Sequence, residues 1–215
     1  MVRCMELVSL SKGQTLFRAG ELPTHVHFLV GAVVSMMNDM TDGYSVETYM
    51  LGRTCMVGAA ATDGPSFYRA TVRGAGLAYR MALPDLERLR QECPVFRQEA
   101  MQALRQIAMQ MAQTIACAKR HSVEQQLIRW VLTTLDRTLS ASIAITHLEL
   151  SEILGFRREA ITLTFGKLAE LGCVKISRGQ IEVPDRQNLE HYACECYWSG
   201  QGKIRPLCQP QRILS

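Results

Sequence analysis

The sequence predicts an α+β protein in which an antiparallel β-roll of the jelly-roll type precedes a long helix and a smaller unit of helices with a β-hairpin. Turn residues recur every 8 to 12 positions between residues 10 and 83, a spacing typical of short antiparallel strands. Apolar residues then repeat at alternating intervals of three and four over residues 101–118. Beyond them, two capping-box patterns mark the starts of further helices. These three observations determine the predicted class.

Composition and charge set the first limits. With 215 residues, 47% of them hydrophobic and 20% charged, the chain can bury two modest cores. The net charge of +4 is compatible with a polyanionic partner without requiring one. No apolar run resembles a signal peptide or a membrane span, so we expect a cytoplasmic protein with no membrane partner. The eight cysteines are scattered along the chain, and we expect them to be mostly reduced.

Residues 1–93 are predicted to form the β-roll. Strands are predicted at residues 15–18, 25–30, 33–37, 46–51 and 77–81. Nothing in this stretch is typical of a catalytic site, so the chain is not expected to be an enzyme. His25 and His27 flank Val26 on one strand, but no third metal ligand lies nearby in sequence. We therefore expect both histidines to face solvent.

A short helix is predicted over residues 84–91, and a long one within residues 94–121. An uninterrupted a/d seam, called the seam here, runs along the long helix and consists of Met101, Leu104, Ala108, Met111, Ile115 and Ala118. Because such a seam packs against a partner helix, we expect a homodimer. The alternative is a helix that lies on its own β-roll, and Ala100, Ala103 and Ile107 widen the apolar face enough to permit both.

Residues 122–197 begin with a capping box formed by Ser122 and Gln125, which predicts a helix over residues 123–137. Residues 119–122 are therefore a candidate hinge. An edge strand is predicted over residues 140–145.

A pair of helices joined by a tight turn follows. Thr146 and Glu149 have capping-box spacing, so a helix is predicted to begin at His147. Gly155 can take the φ > 0 conformation that ends this helix and starts the turn. A second helix is predicted over residues 157–171. Its exposed N-terminal turns carry Arg157, Arg158, Glu159 and Thr162.

Two alternating segments, residues 173–177 and 180–183, follow Gly172 and are predicted to pair as a β-hairpin. Helix, turn, helix and hairpin together are typical of a winged helix-turn-helix DNA-binding domain, in which the start of the second helix meets base edges. The alternative is an ordinary helical hairpin on a small sheet. Charge does not decide between them, since six Lys or Arg stand against seven Asp or Glu in residues 146–191.

The end of the chain is predicted to hold one helix after Pro184, with Leu189, Tyr192, Ala193 and Cys196 on it, and an extended tail over residues 198–215. Weak candidates for a zinc or thiol site are His191, Cys194, Cys196 and Cys208. Reduced, partly buried cysteines on an amphipathic helix are the favoured interpretation, so no metal is assigned.

The order of β-roll, seam helix and winged helix resembles that of the Crp/Fnr family of bacterial transcription regulators over nearly the whole chain. The most specific segments are GFRRE at residues 155–159 and HSVEQQL at residues 121–127. The segment CECY at residues 194–197 is similar to one proteobacterial branch. The resemblance implies a homodimeric regulator with a cyclic-nucleotide-binding-like sensor domain at residues 1–93. It also implies a palindromic double-stranded DNA operator and RNA polymerase as partners.

The resemblance also implies roles on DNA. Arg158 would donate to a guanine, and Glu159 would accept from a cytosine amino group or orient the arginine. Arg157 and Thr162 complete the predicted base-reading set. Leu163 stands where better-known members have a further base-reading arginine, so their operator is not carried over. Predicted phosphate contacts are Thr146, His147, Lys167 and Arg178.

The effector remains unknown from the sequence. The resemblance places the effector pocket at Gly58, Arg69, Ala70, Thr71 and Thr114. Cyclic-nucleotide-binding members combine Gly-Glu with Arg-Ser/Thr-Ala, whereas this chain lacks the carboxylate and hydroxyl partners of the arginine, which disfavours cyclic AMP and cyclic GMP. An N-terminal iron–sulfur cluster is excluded because Cys4 is the only cysteine before Cys55.

The alternative function is that of a ligand-binding, redox-responsive or metal-responsive protein that acts through protein contacts of its winged helix.

Overall fold

The computed structural model describes residues 4–58, 64–138 and 140–200. The chain divides into two compact units, residues 1–109 and 110–215. Within the described ranges, no helix is both long enough and apolar enough to cross a membrane.

The first unit contains two four-stranded antiparallel sheets. Its strands are β1 (Met5–Leu10), β2 (Thr15–Phe17), β3 (His25–Leu29), β4 (Val33–Asp39), β5 (Ser45–Leu51), β6 (Met56–Val57), β7 (Arg69–Gly74) and β8 (Gly76–Ala82). The sheets have the orders β1-β8-β3-β6 and β2-β7-β4-β5, which confirms the predicted antiparallel roll. The sequence does not predict β1, β6 or β7. β6 has two residues, and β1 exposes Leu7 while it buries Leu10, so neither shows a clear alternation.

The core of the roll continues into the helices that follow it. α1 (Leu83–Glu92) packs Leu86 against Val26 and Met81, all three of which are buried. α2 (Pro94–Arg120) begins on the same cluster, where the rings of Phe96 and Phe28 meet edge to face with centroids 6.4 Å apart. The predicted short helix and long helix are both confirmed.

The expectation that His27 faces solvent is wrong. Its side chain does not face solvent, because only 8% of the residue is exposed. The neighbouring Val26 is fully buried, so the roll covers both faces of β3 at this point. Nδ1 of His27 finds no hydrogen-bond partner among the described residues. Burial, with Arg80 and His25 nearby, lowers the pKa of His27 from 6.5 to about 4.

Most of α2 is accessible in the single chain. Met101 and Ile115 of the seam are 63% and 61% exposed. Cys117 is the only buried residue of this helix, which is described from end to end. An apolar seam left exposed at both ends is compatible with the expected dimer.

The second unit holds the predicted winged-helix elements. α3 (Val123–Arg137) has the predicted bounds, and its capping box is formed by Ser122 and Gln125. The other elements are β9 (Ser142–Ile143), α4 (His147–Leu154), α5 (Arg158–Glu170), β10 (Lys175–Ser177), β11 (Gln180–Glu182), α6 (Arg186–His191) and α7 (Glu195–Gly200). The three strands form an antiparallel sheet in the order β10-β11-β9.

The C-terminal region differs from the prediction of one helix and a tail. Two short helices, α6 and α7, replace the single helix, and α7 includes residues 198–200 of the predicted tail. The chain turns between them because the backbone amides of Tyr192 and Ala193 bond back to Leu189 and Glu190. This break buries Cys194 between the two helices.

Candidate nucleic-acid interface

The turn between α4 and α5 is fixed at both ends by local chemistry. The Thr146 hydroxyl accepts from the Glu149 amide at 3.2 Å, and the Glu149 carboxylate accepts from the Thr146 amide at 2.8 Å. This reciprocal pair satisfies two amides at the start of α4. Gly155 ends α4 with φ +72°, a left-handed conformation that favours glycine. The predicted helix start and turn are therefore confirmed.

α5 has one buried face and one exposed face. Ile161, Thr164, Phe165 and Leu168 are buried at helical spacing. The opposite face is exposed and carries Arg157, Arg158, Glu159, Thr162 and Leu163. All four predicted base-reading residues therefore lie together at the accessible N-terminal end of α5.

Two of the predicted contacts already have partners within the domain. The Thr162 hydroxyl donates to the Arg158 carbonyl at 3.0 Å and lies 3.0 Å from Nδ1 of His147. Because that hydroxyl has a single proton, Nδ1 of His147 is the donor. The His147 ring also stacks on Phe165, with centroids 5.1 Å apart.

This arrangement bears on the predicted phosphate contact of His147. Burial and the adjacent Arg158 lower the pKa of His147. In the neutral ring, Nε2 is then an acceptor, which does not suit a phosphate oxygen. A phosphate contact by His147 therefore requires protonation of the ring.

A groove runs between the start of α4, the start of α5 and the hairpin. Thr146, His147, Arg158 and Arg178 all line it. Within the described part of the chain, Arg157, Arg158 and Arg178 form no ion pair. The positive charges of Arg158 and Arg178 are thus available to a partner at the groove, and that of Arg157 lies next to Arg158 at the start of α5.

Lys167 differs from these arginines. It lies in the last turn of α5, where a cation is favoured by the helix dipole, and its Nζ is 3.6 Å from a Glu124 carboxylate oxygen. The phosphate contact of Lys167 stays a prediction. A phosphate would have to compete with Glu124 for the ammonium group.

Arg69 and Thr71, two residues of the predicted effector pocket, are hydrogen-bonded to each other within the first unit. Arg69 donates from Nε and Nη2 to the two oxygens of Asp39 at 2.8 and 2.7 Å, and from Nη1 to Thr71 at 2.9 Å. The hydrogen bond from Arg69 is the main cause that lowers the pKa of Asp39. Thr114 belongs to the second unit, where it donates to the Gln110 carbonyl and accepts from Arg129.

An apolar cavity lies elsewhere in the roll. Its lining includes Gly58 but not Arg69, Ala70 or Thr71, among the residues that the structure describes. Most of the lining is aromatic or aliphatic and includes Phe17, Met36, Tyr49, Phe67 and Tyr68. Arg69 is therefore not a lining residue of this cavity, although the neighbouring Tyr68 is.

The second unit contains a cluster of sulfur and nitrogen ligands that the sequence reasoning located only in part. Cys117, His121, Cys194 and Cys196 place one donor atom each within 4.8 Å of the others. The hydrogen bond with Cys117 lowers the pKa of the Cys194 thiol. The predicted candidate His191 is exposed and is not a member, and Cys208 lies outside the described residues. The i, i+4 spacing of Cys117 and His121 on a helix was the available signal.

Two family models match the chain. The model described as a cyclic nucleotide-binding domain matches residues 7–93, and that of a Crp-like helix-turn-helix domain matches residues 125–192. No curated protein matches the sequence.

Solved structures share the fold at low sequence identity. FixK2 from Bradyrhizobium japonicum has a TM-score of 0.76 and 13% identity, over 88% of this chain and 98% of its own. A transcriptional regulator of the CRP family from Thermus thermophilus has a TM-score of 0.72 and 15% identity, over 93% and 98%. The c-di-GMP responsive regulator CLP from Xanthomonas campestris has a TM-score of 0.68 and 14% identity, over 85% and 95%.

Proposed function

The chain belongs to the Crp/Fnr family of DNA-binding transcription regulators, and we propose that it reads a palindromic operator as a homodimer. The observation that carries this proposal is a pair of arginines, Arg158 and Arg178, that line the groove between α5 and the hairpin and form no ion pair in the described chain. Arg157, also without an ion pair there, is the exposed N-cap residue of α5. Cations at the start of a recognition helix and on a wing suit a polyanion whose major groove receives the helix.

Within this proposal, α5 reads bases and its surroundings hold phosphates. Arg158 donates to a guanine, Glu159 accepts from a cytosine amino group, and Arg157 assists. Thr162 meets a base edge through its methyl group, since its hydroxyl proton is used by the Arg158 carbonyl. Arg178 and Thr146 set the register on the backbone from two sides of the groove.

The dimer is supported by the exposed apolar residues of α2. A second copy that covers the seam removes Met101 and Ile115 from water. Two-fold symmetry then presents two copies of α5 to two half-sites. RNA polymerase is the further partner in this proposal.

A cyclic nucleotide is not the effector in this proposal. The arginine that would hold the cyclic phosphate is already held by both oxygens of Asp39. Saturating cyclic AMP or cyclic GMP is therefore expected to change neither the melting temperature nor the operator affinity. Differential scanning fluorimetry and an anisotropy titration check this, and a clear stabilisation by either nucleotide would contradict it.

To test the function, DNA duplexes that bind the protein are selected from a random palindromic library. The affinity for the selected duplexes is then compared with that for non-specific DNA by fluorescence anisotropy. Arg158→Ala is expected to relax discrimination at one base pair in each half-site by about 1 to 3 kcal/mol, because a bidentate contact to guanine is lost. Affinity for non-specific DNA should fall far less.

Arg88→Ala is the matched control, since Arg88 is an exposed arginine of α1 with an i, i+3 ion pair. It should leave both affinities unchanged. Sequence-blind binding by the wild-type dimer would refute operator reading. Failure to select any duplex, together with capture of a protein on the winged helix, would favour the alternative of protein contacts.

A further inference from the structure

The four residues Cys117, His121, Cys194 and Cys196 form a cluster, called the Cys₃His cluster here, at the junction between α2 and α3. Cys117 lies in the last turn of α2, and His121 directly follows the helix, with its amide bonded to the Cys117 carbonyl. Cys194 precedes α7, and Cys196 is its second residue. We propose that the Cys₃His cluster binds one zinc ion, which ties the end of α2 to the α6–α7 segment. This site goes beyond the proposed reading of DNA and does not depend on it.

The distances between donor atoms fit a tetrahedral metal. Sγ of Cys117 lies 3.9 Å from Sγ of Cys194, and Sγ of Cys196 lies 3.4 Å from Nδ1 of His121. With Zn–S near 2.3 Å and Zn–N near 2.0 Å, tetrahedral geometry sets sulfur pairs about 3.8 Å apart and sulfur–nitrogen pairs about 3.5 Å apart. The other pairs, none beyond 4.8 Å, need to contract by about 1.3 Å at most.

The orientation of His121 is that of a metal ligand. Its Nδ1 points to the sulfur of Cys196, and its Nε2 lies 3.4 Å from a carboxylate oxygen of Glu195. Metal-bound imidazoles commonly donate the proton of their other nitrogen to a carboxylate, which fixes the tautomer and the ring plane. Glu195 is therefore a positioning residue for the Nδ1 lone pair.

The ligands are held in place before any ion arrives. All three cysteines are buried, and two of them lie on a segment fastened to α3. Arg186 makes this attachment, because it donates to Asp136 of α3 and to the Tyr197 hydroxyl beside Cys196. Arg129 lies close enough to Cys117 and Cys194 to interact with both. Its single positive charge would offset the net charge of −1 that Zn²⁺ with three thiolates carries.

The donor set selects the class of metal. Three thiolates and one imidazole in a closed, buried arrangement match structural zinc sites, which use four protein ligands and keep no open position. The competing interpretation is a disulfide, but a disulfide would use only two of the four converging groups. A disulfide would also give no role to the Glu195 carboxylate, which lies 3.4 Å from Nε2 of His121.

The test uses the full chain, reduced and loaded with cobalt(II) or zinc without oxygen, then desalted. One metal per chain is expected, with the near-ultraviolet thiolate-to-cobalt charge transfer and visible bands of a tetrahedral site. Cys196→Ser and His121→Gln should lose the metal or weaken its binding at least tenfold. Cys173→Ser is the matched control, because Cys173 is a buried thiol outside the cluster, and it should retain one ion.

Glu195→Gln keeps the test valid if a buried variant fails to fold, since the Glu195 side chain is 60% exposed. It should weaken zinc binding about 10- to 100-fold in competition with a chromophoric chelator, while the cobalt spectrum keeps its thiolate bands. The proposal is overturned if the folded, reduced protein takes up no metal, or if Cys196→Ser and Cys173→Ser bind it equally. A Cys117–Cys194 disulfide formed in air by a protein that binds no metal when reduced would assign the cluster to redox chemistry instead.

Discussion

Replacement of Phe165 by alanine is expected to destabilise the second unit by about 3 to 5 kcal/mol. Phe165 is fully buried on the inner face of α5, and its ring stacks on His147 at the start of α4. The substitution removes that contact and leaves a cavity between α4 and α5. Because natural domains are stable by about 5 to 15 kcal/mol, the loss amounts to a large part of the total.

Tryptophan fluorescence in urea is the measurement. Both tryptophans, Trp130 and Trp198, belong to the second unit, so the signal reports the unfolding of that unit alone. Leu163→Ala is the matched control on the same helix, because Leu163 is 70% exposed. It should change the unfolding free energy by about 0.5 kcal/mol or less. Equal changes in the unfolding free energy of the two variants would show that the buried face of α5 does not stabilise the unit more than its exposed face.

The first unit is expected to lose stability as the pH falls from about 6.5 to about 4, with His27 as a main cause. In the unfolded chain His27 binds a proton near pH 6.5, whereas in the buried site its pKa is about 4. Between these values the unfolded state holds more protons, so stability decreases with acidity. The penalty is absent above pH 6.5 and complete below about pH 4, where it reaches on the order of 3 kcal/mol.

His27→Gln tests this, because it removes the titrating group and keeps a polar side chain. Urea unfolding followed by circular dichroism at several pH values should give a flatter profile for the variant than for the wild type. Hydrogen exchange of β3 amides localises the change to the roll. Parallel profiles in the two proteins would mean that the ring of His27 carries no burial penalty.

The elements that sequence reasoning located best are those fixed by neighbours along the chain. The bounds of α3 and the start of α4 follow from capping boxes, in which the partners are three residues apart. The exposed face of α5 follows from helical periodicity, since Phe165 and Leu163 are distinguished by their phase alone. For these features the sequence was sufficient.

The features it missed depend on distant parts of the chain. β7 is a strand because it pairs with β2 and β4, which lie far from it in sequence. His27 is buried because the roll covers both faces of β3, which alternation within one strand cannot reveal. The Cys₃His cluster joins Cys117 to Cys194 across 77 residues, so its members could only be identified once the fold had brought them together.

The pairing of Arg69 with Asp39 occupies the guanidinium with a carboxylate of the same chain. Asp39 behaves as a tethered ligand, since the fold delivers its carboxylate to the guanidinium without any loss of translational freedom. A free anion would therefore bind the Arg69 guanidinium only in competition with this carboxylate, which the fold holds in place.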